Sequence, residues 1–241
     1  MGAAEGTSVM PRHFGILIPS TNTTCEIEFG RVAPALQVHT GRLGKDGTTP
    51  FSPSLDADVA YQAKLLGHAR VEVIALAQTS ASLFADDYDA VTVKRMTEAS
   101  GVPCLTSAQA IGRALHAFGA RRIALATPYW PEVIERAKRY YETKYGMTVV
   151  AAESLGAADS YAIGKMDAGL AEAALARLDR PGIDALVVPG GNFPTLDSIG
   201  PWERRFGKPV ITTNQAALWG ILRAMDIREP LPGWGRLLAR Q

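Results

Sequence analysis

The chain has 241 residues, 47% of them hydrophobic, and a formal net charge of +1. That length and apolar share are enough to bury one large core or two small ones, which excludes a disordered polypeptide. Charges of both signs are spread along the chain, so neither a basic stripe for nucleic acid nor a polybasic membrane patch forms, and a small-molecule protein is expected.

Residues 1–12, "MGAAEGTSVMPR", are small and polar and read as a disordered tail rather than a secretion leader. No apolar run approaches the roughly 18 residues of a membrane span, so a cytoplasmic location is expected. Seven short apolar runs then read as strands: "FGILIP", "VEVIALA", "VPCLT", "RRIALAT", "MTVVAA", "IDALVVP" and "KPVITT". Helices fall between them. The clearest is "PEVIERAKRYYETKYG", which opens on Pro131 and stops at Gly146. Continuous apolar strands separated by helices predict an α/β fold with parallel sheets covered on both faces. The cysteines Cys25 and Cys104 form no CxxC pair, and His13, His39, His68 and His116 lack metal-ligand spacing. Neither a disulfide framework nor a zinc site is expected.

The chain also repeats. "GVPCLTSAQAI" from Gly101 matches "GKPVITTNQAA" from Gly207, a shift of 106 that sets Gln109 on Gln215. "HFGILIPST" matches "RRIALATPY" with Gly15 on Ile123, a shift of 108, and "VEVIALAQTS" matches "IDALVVPGGN" with Val71 on Ile183, a shift of 112. Two α/β lobes are expected, 13–118 and 119–241, with the C-terminal segment free to cross between them. Ligands of open α/β sheets sit beyond the carboxyl ends of the strands. The site should therefore be built from four strand-end loops, "PSTNTT", "AQTSAS", "ATPYWP" and "PGGNFP".

Each loop has a structural and a functional reading. Ser20, Thr21, Asn22, Thr23 and Thr24 follow Pro19; capping a helix needs one of them, whereas an anion at the helix start would use several. Gln78, Thr79, Ser80 and Ser82 make either a capped turn or a set of hydroxyl donors to a carboxylate. Tyr129 and Trp130 are either packing or, for the Tyr129 hydroxyl, a donor to an oxyanion. Gly190 and Gly191 allow a ligand to approach main-chain N–H groups, and "PTLD" behind them starts a helix at its positive end.

Taken together, "GILIPSTNTT", "QTSAS", "GVPCLTSAQAI", "RRIALATPY", "SLGAADSYAIG", "GGNFPTLDSI", "GKPVITTNQAALW" and "PGWGRL" resemble the Asp/Glu racemase superfamily, in its maleate isomerase and arylmalonate decarboxylase branch. The resemblance runs from about Phe14 to about Leu237. It implies two pseudo-symmetric Rossmann-like domains, each with a four-stranded parallel sheet flanked by helices, and an active site in the cleft between them. It also implies chemistry without a cofactor next to a carboxylate, carried by thiols at two equivalent strand ends, and it leaves homo-oligomerisation open. Those two positions fall here on Gln78 and Gly190. Cys25, on the helix after the first loop, and Cys104, within a strand, are no substitutes. An amide and a hydrogen atom neither carry a proton nor attack an alkene at neutral pH. What remains is anion binding: Thr79, Ser80, Tyr129 and Gly191 match the decarboxylases' oxyanion pocket, and Asn22 and Ser160 fall on or near the isomerases' substrate-binding asparagines.

The expected function is a decarboxylase-like, cofactor-independent lyase on a small carboxylic acid. Its catalytic set is Tyr129, Ser80, Thr79 and Gln78; its substrate-binding set is Pro19, Ser20, Asn22, Gly190, Gly191, Asn192 and Ser160. Alternatives are a non-catalytic carboxylate binder and a hydrolase or hydratase with a water oriented by Gln78. Proton donors outside the loops would be Glu26, His39, Lys45 or Asp46. Gly190→Cys is expected to yield traces of arylmalonate decarboxylation, and Gln78→Cys less.

Overall fold

In a computed structural model that describes residues 11–32, 36–45 and 49–239, each half of the chain forms one four-stranded parallel sheet. The first contains β1 (Arg12–Pro19), β2 (Leu36–Leu43), β3 (Ile74–Leu76) and β4 (Cys104–Thr106), in the order β2-β1-β3-β4. The second contains β5 (Arg122–Thr127), β6 (Thr148–Ser154), β7 (Ala185–Val188) and β8 (Val210–Thr212), in the order β6-β5-β7-β8. The two orders are the same, as a duplicated unit requires. Nine helices cover the sheets among the described residues: α1 (Cys25–Phe29), α2 (Asp56–His68), α3 (Tyr88–Ser100), α4 (Ser107–Ala117), α5 (Pro131–Tyr145), α6 (Ala168–Leu178), α7 (Ile199–Phe206), α8 (Thr213–Ala224) and α9 (Arg236–Ala239).

All seven expected strands form. The eighth, β2, was not foreseen because "LQVHTGRL" is an edge strand: only Gly41 and Leu43 are buried, so it lacks the apolar run of a central strand. The ladder also shifts one alignment. Gly15 pairs with Ile74, and its counterpart opposite Leu186 is Ala124 rather than Ile123, so the first strands are related by 109 positions, not 108. A run that is apolar on both faces does not report a one-residue slip. With the corrected register, Pro19 and Pro128 become equivalent strand ends. Residues 1–10 of the expected tail lie outside the described residues, and Arg12 already belongs to β1, paired with Leu36.

Local signals fix the helix ends that matter for the site. Thr106 caps α4 by accepting from the Gln109 N–H while Gln109 reaches back to the Thr106 N–H, and Gln215 Oε1 accepts from the Thr212 N–H at the start of α8. Helices α3 and α7 each stop on a glycine in the left-handed region, Gly101 and Gly207. α4 and α8 pack against each other, with Gly220 against Leu105 and Ala110 at the crossing. The main hydrophobic core runs through both halves, from Phe14, Ile16 and Ile18 to Val187, Ile211 and Leu218. A smaller core lies under α2 and α3 around Leu17, Leu66, Ile74 and Met96. The C-terminal segment stays on α7 and α8: Gln215 donates to the Trp234 carbonyl, and the Arg236 N–H donates to Glu203. No helix among the described residues is long and apolar enough to cross a membrane.

Candidate active site

The carboxyl ends of β1, β3, β5 and β7 meet at a small cavity of about 30 Å³, room for roughly two water molecules. Its wall contains ten of the eleven residues expected at the site: Pro19, Asn22, Gln78, Thr79, Ser80, Tyr129, Ser160, Gly190, Gly191 and Asn192. Ser20 is the exception. It is exposed, with its N–H donating to the Leu43 carbonyl and its own carbonyl accepting from Arg42. Thr21, Phe51, Ala77 and Ile163 complete the wall. No lining residue is charged, and none is a cysteine.

A buried chain of hydroxyls joins the two halves beneath this wall. Thr79 Oγ1 lies 2.9 Å from Ser107 Oγ and 3.0 Å from Thr213 Oγ1, and the Gly190 N–H donates to Thr213 Oγ1 at 2.8 Å. Ser107 and Thr213 are the first residues of α4 and α8, so the capped ends of the central helix pair hold Thr79 and Gly190 in place. Tyr129 is almost wholly buried. Burial pushes its phenol well above its ordinary value, while hydrogen bonds with the Thr79 side chain and with the Ser80 main chain and side chain pull the other way. It therefore remains a neutral hydroxyl donor throughout the physiological range. Trp130 takes the packing role, its indole N–H donating to the Ala157 carbonyl at 2.8 Å.

The two expected helix-start anion sites are already occupied by the chain itself. At the first, α1 has only five residues, and Asn22 Oδ1 accepts from the N–H groups of Thr24 and Cys25, so Asn22 caps that helix. At the second, the N–H groups of Thr195 and Leu196 both donate to Glu28 Oε1 at 2.9 Å. Glu28 Oε2 accepts from Asn214 Nδ2 at 2.7 Å, and the same Nδ2 donates to the Gly191 carbonyl. Burial pushes the Glu28 carboxyl up from its ordinary value, against these three hydrogen bonds. The Cys25 thiol completes the cluster, donating to the Gly191 carbonyl at 3.0 Å. Its burial, together with Glu28, raises it far above the usual thiol range, so it stays protonated. The sequence alone did not reveal this Glu28–Asn214–Cys25 cluster, because its members are 189 positions apart at the widest. Asn192 is similarly engaged, accepting from the Thr23 N–H and donating to the Ser160 carbonyl, both at 2.8 Å.

What remains open to a ligand is main chain and hydroxyl. The N–H groups of Gly191 and Asn192 have no hydrogen-bond partner among the described residues although both residues are buried, a condition that folded chains rarely leave unresolved. Gly191 also lies where a Cβ would meet the Ala77 carbonyl at 3.0 Å, so a side chain there would push the two strand ends apart.

Several expected roles change. Gln78 is tied to the chain: its Nε2 donates to the Ser52 carbonyl at 2.9 Å, and its Oε1 accepts from the Ser54 N–H at 3.2 Å. The outlying proton donors do not line the cavity. Glu26 pairs with Arg42, His39 with His13 at 2.8 Å, and Lys45 donates to the Thr49 carbonyl; Asp46 lies outside the described residues. Gly190→Cys also carries a structural cost. Gly190 has φ +138, and a Cβ there would meet Pro128 Cγ at 2.9 Å. The single variant is therefore expected to lose stability by about 1–3 kcal/mol through backbone strain and overpacking. Adding Pro128→Ala removes the clashing ring atoms, so the double variant should recover part of that loss in thermal unfolding; equal stabilities would refute the clash.

The duplicated pair of sheets, with an uncharged, hydroxyl-lined cavity at its strand ends, fits the resemblance to the maleate isomerase and arylmalonate decarboxylase branch. The profile of the arylmalonate decarboxylase family matches residues 16–238, and the chain belongs to that family. It is 30% identical over 228 residues to arylmalonate decarboxylase of Bordetella bronchiseptica, covering 92% of this chain and 95% of that one. It is likewise 30% identical to maleate isomerase of Nocardia farcinica, covering 94% and 95%. Among solved structures, the Nocardia farcinica maleate cis-trans isomerase bound to TRIS superposes with a TM-score of 0.84 at 28% identity, over 95% of this chain and 98% of that one. The maleate isomerase of Pseudomonas putida S16 with maleate, a cysteine-to-alanine variant, gives 0.83 at 27%, over 95% and 97%.

Proposed function

We propose that the chain is a cofactor-independent lyase that decarboxylates a small carboxylic acid with hydroxyl and main-chain donors rather than a thiol. The observation that carries this reading is that Thr79, Ser80, Tyr129 and the residues with unpartnered N–H groups, Gly191 and Asn192, line one cavity. A substrate with two carboxyl groups on one carbon binds one of them to these donors. The bond to the other carboxyl breaks, carbon dioxide leaves, and the electron pair stays as an enediolate on the retained carboxyl. The donors meet more charge on those oxygens in the enediolate than in the bound acid, so they favour the transition state. A proton from the Tyr129 hydroxyl or from a cavity water then completes the product.

The kinship with a decarboxylase and with maleate isomerases supports carboxylate chemistry at this cavity. A Nocardia farcinica maleate isomerase variant carries a covalently bound succinylcysteine intermediate; the sequence resemblance sets the family thiol positions on Gln78 and Gly190, neither of which can form such an adduct, and this favours a reaction that rests on anion binding. The test is carbon dioxide release and product formation from a panel of malonates, with maleate as the isomerisation control. Release from at least one malonate, reduced about 100-fold in Ser80→Ala, is expected. Tight binding of malonates with no conversion over hours would instead make the protein a binder.

A further inference from the structure

Phe51 belongs to the connection between β2 and α2, yet its ring is 1% exposed and forms part of the cavity wall. Its backbone lies in the left-handed region at φ +63, which a bulky residue adopts only when its surroundings hold it there. Two sets of contacts do so. The ring packs against Tyr129 at 5.2 Å and edge-on to Trp130 at 5.7 Å, both from the opposite half. The chain just after it is clasped by Gln78, whose amide bonds both the Ser52 carbonyl and the Ser54 N–H. An amide that satisfies a carbonyl and an N–H two residues apart fixes a backbone as a strand partner would. A benzene ring is accommodated by a cavity of about 150 Å³; with Phe51 in place this cavity offers about 30 Å³.

We infer that Phe51 is a specificity-determining residue and Gln78 the positioning residue that latches it, so that the site takes small aliphatic acids and rejects those bearing an aryl group. This inference rests on the proposed carboxylate chemistry of the same cavity and names its substrate class. The aromatic roof occupies the space that an aryl substituent would need, while the hydroxyl and N–H side of the cavity stays available to the carboxylate. Gln78, itself part of the cavity wall, acts on the ring through Ser52 and Ser54.

The experiment measures malonate and phenylmalonate binding by calorimetry to the full chain, to Phe51→Ala, to the milder Phe51→Leu and to Gln78→Ala. Hydrogen exchange of the peptide containing Ser54 is followed in parallel. The unaltered protein is expected to prefer malonate at least 100-fold. Phe51→Ala should narrow that preference by at least 10-fold, Phe51→Leu by less, and Gln78→Ala should narrow it while speeding exchange at Ser54 at least 10-fold. Equal affinity for the two acids in the unaltered protein, or a preference unmoved in a folded Phe51 variant, overturns the size filter. Unchanged exchange in Gln78→Ala overturns the latch. If neither acid binds any of the four proteins, the carboxylate reading itself falls and takes the filter with it, and the exchange result still decides the latch.

Discussion

Replacing Tyr129 with phenylalanine is expected to lower kcat on a malonate substrate by about 100- to 1000-fold, the usual consequence of losing one donor from an oxyanion pocket. The change removes a single oxygen. The ring keeps its place against Phe51, and Thr79 keeps its hydrogen bonds with Ser107 and Thr213 while losing the one with the Tyr129 hydroxyl. KM should move little, because the donor matters most when charge develops on the bound oxygens. The pH profile carries a second expectation. Burial holds the phenol above its ordinary value of 10.0, so ionisation of Tyr129 should contribute no falling limb to kcat below that pH. Steady-state kinetics of the two proteins across pH, with melting temperatures as a folding control, check both points. Turnover of the variant within threefold of the parent would remove Tyr129 from the chemistry.

Tyr129 was legible in the sequence because it sits directly behind an apolar strand in a duplicated frame. The same is true of Thr79, Ser80, Gly190 and Gly191: strand ends at fixed shifts converge, and a parallel sheet brings its carboxyl ends to one side. Phe51 was not legible. It lies in a connection with no periodicity, after the one edge strand that lacks an apolar run, and nothing in its neighbours' types announces an inward turn. The contacts of Gln78 with the chain around Phe51 were hidden for a related reason. Residue type shows that an amide has four hydrogen-bonding sites to satisfy; only the fold shows that two of them go to Ser52 and Ser54. The helix-start anion sites failed differently: the general rule that N–H groups there attract a negative charge was right, but the charge is Glu28, 167 positions from Thr195.

That buried carboxylate gives the largest expected stability effect. Glu28→Ala strands three donors, the N–H groups of Thr195 and Leu196 and the Asn214 amide, at residues that are almost wholly buried. An unsatisfied buried donor costs about 1–3 kcal/mol, so a total loss of about 3 kcal/mol or more is expected, a fall in melting temperature of roughly 6–12 °C for a chain of this size. Glu28→Gln keeps one acceptor oxygen and should lose less. The pH dependence has a definite sign. Burial raises the Glu28 carboxyl in the folded chain, so the folded state holds this proton more tightly than the unfolded one. The stabilisation this linkage provides is complete below the unfolded carboxyl value of about 4.3 and is lost as pH rises through the folded value. The melting-temperature gap between the parent and Glu28→Gln should therefore narrow from acid toward neutral pH. A gap that widens over that range would mean that the hydrogen bonds from Thr195, Leu196 and Asn214 outweigh burial, and that Glu28 is charged in the fold. In either case the same cluster holds the Gly191 carbonyl, so looser binding in the cavity should accompany the loss of Glu28.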